Sequence, residues 1–314
     1  MDIQLANRIE QFKKELSAHQ VHCSREKDIN YGHQIVCMVS GEEATVNFYH
    51  GKKGISVVVQ GKDSPLKLLI RRLASGETMP EAGSASGIAV PLAGGVRPAD
   101  VQRWIGCDES GKGDVFGPLV GAACLITSEE EKKLQRMGVC DSKLLTDKTI
   151  ARLAPAISDM LGSRCVIRVL MPKEYNIQYE MLRADHKNLN HLLGNLHAGN
   201  IRVLLSKYEC PCIIVDKFGK DEYVLSGLRA EAASHQIIQV PRGERDAAVA
   251  AASILARQAF VDAMAALSDH YGMTFPKGAF LRIEETIRTF RDAYGDSRLA
   301  DVGKLNFKTF DFLR

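Results

Sequence analysis

The sequence lacks the features of a secreted or membrane protein. No basic head followed by an apolar stretch opens the chain, and we expect no later segment to approach the length that spans a bilayer. The eight cysteines form no C-x-x-C pair of the zinc-binding kind, and several stand in apolar runs, where a reduced thiol packs as a small hydrophobe. The sequence therefore predicts a protein of the reducing cytoplasm.

The chain also lacks a strong excess of charge of either sign. Its formal net charge is +3, from 41 Lys and Arg against 38 Asp and Glu among 314 residues. So mild a balance does not identify a nucleic-acid partner, although a local basic groove can lie within it. The length allows two domains, and 45% hydrophobic with 25% charged residues is typical of a soluble globular protein.

One stretch lacks any sustained helical or strand periodicity. Residues 77–100 are rich in Gly, Ser, Ala and Pro, which is typical of a linker. We therefore expect a first domain at residues 1–80, a linker at 81–100 and a second domain at 101–314.

The segment before the linker has the patterns of a small α+β domain. Residues 9–16 show helical spacing of apolar positions, and a second helix is expected at 65–73. Between them, residues 34–39, 43–49 and 54–60 alternate like the strands of a meander. Such a domain offers a curved sheet to a partner, but nothing in it has catalytic spacing.

The second domain has the pattern of a mixed sheet flanked by helices, which places the chain in the α/β class. Asp108 and Asp216 each end an apolar strand. If these strands are parallel neighbours, the two carboxylates meet at one edge of the sheet. A turn or cap at the strand end explains Asp216 alone equally well. The strands are expected at residues 101–108, 117–127, 165–170, 212–216 and 237–240.

Two adjacent carboxylates, Asp108 and Glu109, stand at the end of the first of these strands. Such charges repel each other, and a divalent cation between them is the least costly way to keep both ionised. The following Gly111-Lys112-Gly113 offers unobstructed backbone N–H groups and an ammonium group to a phosphodiester oxygen. Carboxylates for metal beside donors for phosphate indicate phosphodiester chemistry.

Two other interpretations fit this motif less well. Gly106 to Lys112 has the G-x-x-x-x-G-K spacing of a P-loop, but Gly113 stands where a P-loop needs the Ser or Thr that ligates magnesium. Asp108 and Glu109 would also face the triphosphate with negative charge. The remaining interpretation is a surface turn with solvated charges, since all of these residue types are common in turns.

Two further acids, Glu244 and Asp246, precede an Ala-rich segment that is expected to be a helix. The helix dipole explains an acid at this place equally well. Only their combination with the other carboxylates favours a catalytic role.

Seven segments carry a resemblance to a known family: residues 108–120 (DESGKGDVFGPLV), 141–147 (DSKLLTD), 175–176 (YN), 188–190 (NLN), 215–218 (VDKF), 249–257 (VAAASILAR) and 276–279 (PKGA). In this order they resemble the motifs of bacterial ribonuclease HIII. Gly-Lys-Gly after the carboxylate pair, in place of Gly-Arg-Gly, favours this family over its sister, ribonuclease HII. The first domain more weakly resembles the TBP-like substrate-binding domain of ribonuclease HIII.

The resemblance implies an RNase H-like fold and an endonuclease that cleaves the RNA strand of RNA–DNA hybrids, leaving 5′-phosphomonoesters. It implies Mg²⁺ or Mn²⁺ as the cofactor and a monomeric, cytoplasmic enzyme with no membrane partner. The family's catalytic set maps onto Asp108, Glu109 and Asp216, with Glu244 as the fourth acid. Because Glu244 lies one residue closer to the helix than the family spacing, Asp246 is its competitor.

The resemblance also implies how these acids act. In-line attack by water builds charge on the attacking and leaving oxygens, which two divalent ions about 4 Å apart stabilise. Asp108 would bridge the ions, and Glu109 and Asp216 would hold one each. Glu244 would complete the site or position a water.

Substrate contacts are expected beside these acids. The Gly111-Lys112-Gly113 backbone is the candidate that reads the ribose 2′-OH, the group that separates RNA from DNA. Lys112 and Lys143 would face phosphates. The sequence departs from the family at Ala198, where Asn is frequent, and at Asn306, where His is common; neither position carries a metal-binding acid.

Two alternatives to hybrid cleavage stay open at this point. One is a ribonuclease HII-like incision at single ribonucleotides in duplex DNA. The other is a non-catalytic protein that binds hybrids, in which the acids only cap strands and the first domain supplies all the function.

Overall fold

The computed structural model describes residues 3–18, 21–39, 42–51, 54–61, 65–75, 96–279 and 282–313. The chain forms two compact units, Met1–Ser86 and Gly87–Arg314. Their boundary lies outside the described residues, and so do residues 81–95 of the expected linker. The domain limits drawn from the sequence therefore stay predictions.

The first unit is an antiparallel meander with two helices packed on one face. Apolar side chains of the helices, such as Ile9 and Phe12, pack against alternate residues of the central strands, such as Val46 and Phe48. The elements in chain order are α1 (Ile3–Ala18), β1 (His22–Ile29), β2 (Gly32–Val39), β3 (Glu42–Gly51), β4 (Gly54–Gln60) and α2 (Pro65–Ser75).

The expected helices and three of these four strands are confirmed, and β4 has the predicted limits. The sequence patterns do not predict β1. This strand is at the edge of the sheet and carries exposed charged side chains, including Arg25 and Lys27, so it has no apolar face to give a period of two.

The second unit is built around a five-stranded mixed sheet. Its strands are β5 (Arg103–Ser110), β6 (Leu119–Thr127), β7 (Cys165–Leu170), β8 (Cys212–Asp216) and β9 (Gln236–Val240). Its helices are α3 (Ser128–Met137), α4 (Asp147–Leu161), α5 (Pro172–Ala184), α6 (Leu189–Leu205), α7 (Glu222–Leu225), α8 (Ala247–Tyr271), α9 (Ile283–Tyr294) and α10 (Leu299–Val302). Short 3₁₀ turns include Ser142–Leu144 and Gly243–Arg245.

The strand order is β7-β6-β5-β8-β9. β5 and β7 pair antiparallel with β6, whereas β5, β8 and β9 run parallel to one another. Apolar side chains on one face of the sheet pack with α4 and α8, and those on the other face pack with α6 and α7. This confirms the expected mixed sheet flanked by helices.

Helix α8 packs unusually close to the sheet. A Cβ atom at Gly106 of β5 would lie 2.2 Å from the backbone nitrogen of Val249, so only glycine fits there. The small residues of the 247–252 segment allow this approach, and all of them are buried. The helix is thereby fixed against the strand that carries Asp108.

Among the described residues, α8 alone is long and apolar enough to pass for a membrane span, and 67% of its most apolar window is buried inside the protein. The expectation that no segment approaches that length is therefore wrong. Packing on both the sheet and α4 accounts for the apolar character of this helix.

Candidate active site

The end of β5 lies beside the end of β8. In their parallel register Cys107 pairs with Val215, so the next residue of each strand, Asp108 and Asp216, stands at the same edge of the sheet. The strands are thus the parallel neighbours that the sequence analysis required for the two carboxylates to meet.

The four acids predicted for catalysis, Asp108, Glu109, Asp216 and Glu244, are called the acidic group here. Asp108 is the most buried of the four, with 6% of its surface exposed. It accepts hydrogen bonds from the backbone N–H of Glu109, at 2.7 Å, and from the Ser253 hydroxyl of α8. Burial raises the pKa of the Asp108 carboxyl well above its usual value, and the charges of Glu109 and Asp216 add to this effect. An ionised Asp108 therefore needs a positive charge nearby.

Glu109 is held on the other side of β5 by a buried histidine. His197 of α6 places Nε2 3.1 Å from Glu109 Oε2, and only 10% of the Glu109 side chain is exposed. The His197 ring stacks on Phe218 with centroids 5.4 Å apart. Lys112 Nζ lies 4.0 Å from Glu109 Oε1 and donates to the Phe218 carbonyl at 3.4 Å.

Asp216 and Glu244 are joined by one tight turn. The N–H of Gly243 donates to Asp216 Oδ1 at 2.7 Å, and Glu244 is the next residue. Burial raises the pKa of both carboxyls; the charge of Glu109 adds to this at Asp216, and the charges of Asp141 and Asp216 add to it at Glu244. Glu244 thus belongs electrostatically to the acidic group.

Asp246 has a different environment. Its side chain caps α8, where Oδ1 accepts from the N–H groups of Ala248 at 2.9 Å and Val249 at 3.2 Å. Trp104 Nε1 donates to both carboxylate oxygens at 3.0 Å. Burial raises the pKa of this carboxyl, while these hydrogen bonds oppose the rise. Each hydrogen bond that the described residues make to this carboxylate comes from Trp104 or from the first turn of α8, and none comes from the acidic group.

A lysine faces the carboxylates from the Ser142–Leu144 turn. Burial lowers the pKa of Lys143, but the charges of Asp141, Asp108, Glu244 and Asp216 outweigh burial and raise it. Asp141 itself caps the turn, accepting from the Lys143 N–H at 2.9 Å. Asp141 lies in the DSKLLTD segment but was not among the acids predicted for the site.

The Gly111-Lys112-Gly113 turn leaves β5 in a left-handed conformation, with φ of +87° at Gly111. No heavy atom lies within 4 Å of a Cβ built on Gly113, so this side of the turn is open. The chain continues through residues 114–118 into strand β6 and not into a helix. The P-loop interpretation is therefore wrong, because its phosphate site requires a helix N-terminus.

Ala198 and Asn306, the two departures from the family pattern, both contribute to internal structure. Ala198 is buried in the core under α6. Asn306 accepts a hydrogen bond from Tyr175 Oη at 2.9 Å, and the neighbouring Asn176 donates to the carbonyls of Ala300 and Gly303. The Tyr175-Asn176 motif therefore fastens the C-terminal segment.

The donor set fits a hard divalent cation. Asp108, Glu109 and Asp216 supply only carboxylate oxygens, which Mg²⁺ and Mn²⁺ prefer. Among the residues that the structure describes, no three His, Cys, Asp or Glu side chains stand at the spacing of a formed metal cage. The fit therefore rests on two observations. The donors are all carboxylate oxygens, and the pKa of Asp108 and that of Asp216 are raised, an effect that a bound cation would offset.

Comparisons with known proteins agree with this arrangement. The sequence model of the ribonuclease HII family matches residues 105–310. Ribonuclease HIII of Protochlamydia amoebophila (strain UWE25) is 41% identical over 214 residues, which cover 68% of each protein. Ribonuclease HIII of Chlamydia pneumoniae is 40% identical over 215 residues, 68% of this chain and 70% of that protein.

Solved structures extend the likeness to both units. The crystal structure of Bst-RNase HIII in complex with Mn²⁺ superposes with a TM-score of 0.62 at 27% identity. The match covers 96% of this chain and 94% of that one. The fold of this chain is thus that of an RNase H-like protein preceded by a small sheet domain.

Proposed function

The chain carries the ribonuclease HII domain and belongs with the ribonuclease HIII proteins, as its motifs predict, and on the premise that it is a ribonuclease H-type endonuclease we propose that it cleaves the RNA strand of RNA–DNA hybrids with divalent metal ions. The observation that carries the proposal is the group of four acids at one edge of the sheet. Asp108 and Asp216 end neighbouring parallel strands, Glu109 follows Asp108, and the charge of Asp216 acts on Glu244.

Asp108, Glu109 and Asp216 are the residues that would hold Mg²⁺ or Mn²⁺. The Mn²⁺ complex of Bst-RNase HIII supports a divalent ion in this family. When bound, such ions stabilise the negative charge that develops on the attacking and leaving oxygens of the phosphodiester.

The remaining chemistry belongs to groups of the chain. The Ser253 hydroxyl, His197 and the Gly243 N–H each hold one of the three ligands in place, at Asp108, Glu109 and Asp216. Glu244, whose carboxylate accepts a hydrogen bond from its own backbone N–H and from no other described residue, is the acid that we assign to orienting the attacking water. Asp246 is assigned to helix capping and not to catalysis.

The open side of the Gly111-Lys112-Gly113 turn is the proposed reader of the ribose 2′-OH, because the space where a Cβ of Gly113 would lie is free of heavy atoms from residues other than its two chain neighbours. Lys112 and Lys143 are the proposed phosphate contacts. Lys112 lies 4.0 Å from Glu109, and 35% of its side chain is exposed. Lys143 is close enough to Asp108, Asp216 and Glu244 for their charges to raise its pKa.

Cleavage of a labelled RNA–DNA hybrid tests the proposal. The full chain, with Mg²⁺ or Mn²⁺, is expected to cut the RNA strand and leave 5′-phosphates, whereas EDTA or the Asp108→Asn substitution should stop the reaction. A DNA duplex should stay intact. A hybrid that is shifted on a gel but left uncut would indicate a non-catalytic binder. Equal activity on a single ribonucleotide in duplex DNA would indicate a ribonuclease HII-like specificity.

A further inference from the structure

A lysine near the C-terminus is completely buried away from the acidic group. Lys304 has 0% of its surface exposed, and none of the described residues forms an ion pair with it. Burial lowers the pKa of its amine to about 7, opposed only by the charge of Asp114. Lysine is rarely buried without a paired charge, so this position requires an explanation.

The amine is bound by three consecutive main-chain carbonyl groups. Lys304 Nζ donates to the carbonyl oxygens of Phe116 at 3.3 Å, Gly117 at 2.7 Å and Pro118 at 3.3 Å. These residues belong to the segment between the Gly111-Lys112-Gly113 turn and β6. The amine has two N–H groups when neutral and three as an ammonium, and all of them face these carbonyls, so one side chain restrains the directions of three peptide groups.

The same segment exchanges backbone hydrogen bonds with the residues around Lys304. The Lys304 N–H donates to Val115 O at 2.8 Å, and the Gly117 N–H donates to Val302 O at 2.9 Å. On the other side, the Val115 N–H donates to Gly278 O at 3.0 Å. The loop after the turn is therefore clamped from two directions by parts of the chain distant in sequence.

One of the three carbonyls touches the turn itself. A Cβ atom on Gly111 would lie 2.2 Å from Pro118 O, so this oxygen rests directly against the backbone of Gly111. Gly111 also has a positive φ of +87°, so both its backbone conformation and its close packing require glycine. Contact therefore runs from Lys304 Nζ through Pro118 O to the first glycine of the turn.

We propose that Lys304 is a positioning residue for the reaction, which holds the Gly111-Lys112-Gly113 turn in the orientation that meets the ribose of the RNA strand. The inference rests on the proposed function, because that function assigns the turn to the ribose. Lys304 touches neither the substrate nor the acids and acts through the peptide groups of residues 116–118. Rotation of any of these peptides would shift the donors of the turn, and misplacement by about 1 Å at such a site costs up to about a hundredfold in rate.

The test compares Lys304→Met, which keeps the shape of the side chain but removes its donors, with Ile157→Ala. Ile157 is buried in α4, in the core cluster that also includes Phe116, and its side chain has no group that could hydrogen-bond to the loop. Both variants should lower the melting temperature. Only Lys304→Met should lower kcat at saturating hybrid, by about tenfold or more, with little change in hybrid affinity measured in EDTA.

Amide hydrogen exchange supplies a readout that does not depend on catalysis. In folded Lys304→Met, faster exchange should be confined to the amides of residues 111–117, whereas Ile157→Ala should leave the exchange of these amides unchanged. If Lys304→Met does not fold, Lys304→Arg keeps the cation and donors and is judged by the same criteria, with a smaller loss of kcat expected.

The outcomes separate this inference from the proposed function. A folded Lys304 variant with the kcat of the wild-type protein, or with exchange raised evenly over the whole second unit, overturns the inference. A wild-type protein that does not cut the hybrid overturns the proposed function, and the exchange data then still decide whether Lys304 holds the turn.

Discussion

His197 Nε2 lies 3.1 Å from Glu109 Oε2, and the histidine that makes this contact is completely buried. The contact is a hydrogen bond to an ionised carboxylate only in the tautomer that carries the hydrogen on Nε2. The other ring nitrogen, Nδ1, is buried and has no hydrogen-bond partner among the described residues. The ring is held by stacking on Phe218, which leaves the bond to Glu109 as its single polar contact in the described part of the chain.

Replacing His197 should therefore impair catalysis by releasing Glu109. We expect His197→Ala to lower single-turnover cleavage at saturating hybrid by about tenfold to a hundredfold, because the carboxylate loses its fixed orientation. His197→Gln should recover part of the rate, since its amide can donate to the same oxygen. A wild-type rate in His197→Ala would show that Glu109 needs no such support.

Asp108→Asn should make the metal-free protein more stable while nearly abolishing cleavage. An acid with a raised pKa binds more protons in the folded than in the unfolded state, so its ionisation costs stability as pH rises through the folded pKa. In EDTA at pH 7, the melting temperature of the variant should exceed that of the wild-type protein. This gain should shrink on acidification, as Asp108 becomes protonated.

The Asp108→Asn protein should still bind the hybrid, which separates loss of chemistry from loss of affinity. Asp216→Asn should behave in the same way, with a smaller gain in stability because Asp216 is less buried. Retention of the wild-type turnover by either variant would remove these residues from the metal site.

Glu244 and Asp246 should give opposite phenotypes. Glu244→Gln should slow cleavage with little effect on stability, because Glu244 lies in the acidic group. Asp246→Ala should lower stability by about 1–2 kcal/mol through loss of the helix cap, and it also leaves Trp104 Nε1 without its acceptor. Urea unfolding and single-turnover rates measured on both variants decide the assignment; a larger rate defect in a folded Asp246→Ala would reassign the fourth acid.

The sequence predicted the parts of the site that follow from strand periodicity. β7 and β8 begin and end at the predicted residues, because both are short and mostly apolar segments next to a proline, Pro172 after β7 and Pro211 before β8. The meeting of Asp108 and Asp216 then required only that two such strands be parallel neighbours.

The sequence could not predict the residues whose role depends on distant contacts. His197 stands at an apolar position of a helix and meets Glu109 across 88 residues of chain. Lys304 resembles a surface lysine until the carbonyls 186 to 188 residues earlier are brought to it. The distinction between Glu244 and Asp246 likewise depends on which of the two faces Trp104.

Lys304 should make stability depend on pH above neutrality. Its pKa is about 7 in the folded protein and 10.5 as a free side chain, so the unfolded chain binds more protons between these values. Stability should therefore rise with pH across this window, by up to about 1.4 kcal/mol per pH unit. The difference in unfolding free energy between the wild-type and Lys304→Met proteins isolates this contribution. A flat difference from pH 7 to 10 would mean that the three carbonyls keep the amine charged.

Deletion of residues 1–86 should leave a folded nuclease with weakened affinity for the hybrid. The core of the first unit is composed only of its own residues, and so is that of the second. All the proposed catalytic and metal-binding residues belong to the second unit, so cleavage at saturating hybrid should be retained.

The loss on deletion should appear at low substrate concentration, because phosphate contacts and counterion release supply much of the affinity for a nucleic-acid duplex. If the first unit supplies some of these contacts, the dependence of binding on salt should become shallower in the truncated protein. Hybrid binding measured between about 50 and 300 mM salt tests the salt dependence. Single-turnover rates at saturating hybrid test whether cleavage is retained. Loss of cleavage at saturating hybrid in a protein with a native circular dichroism spectrum would mean that the first unit helps to assemble the active site.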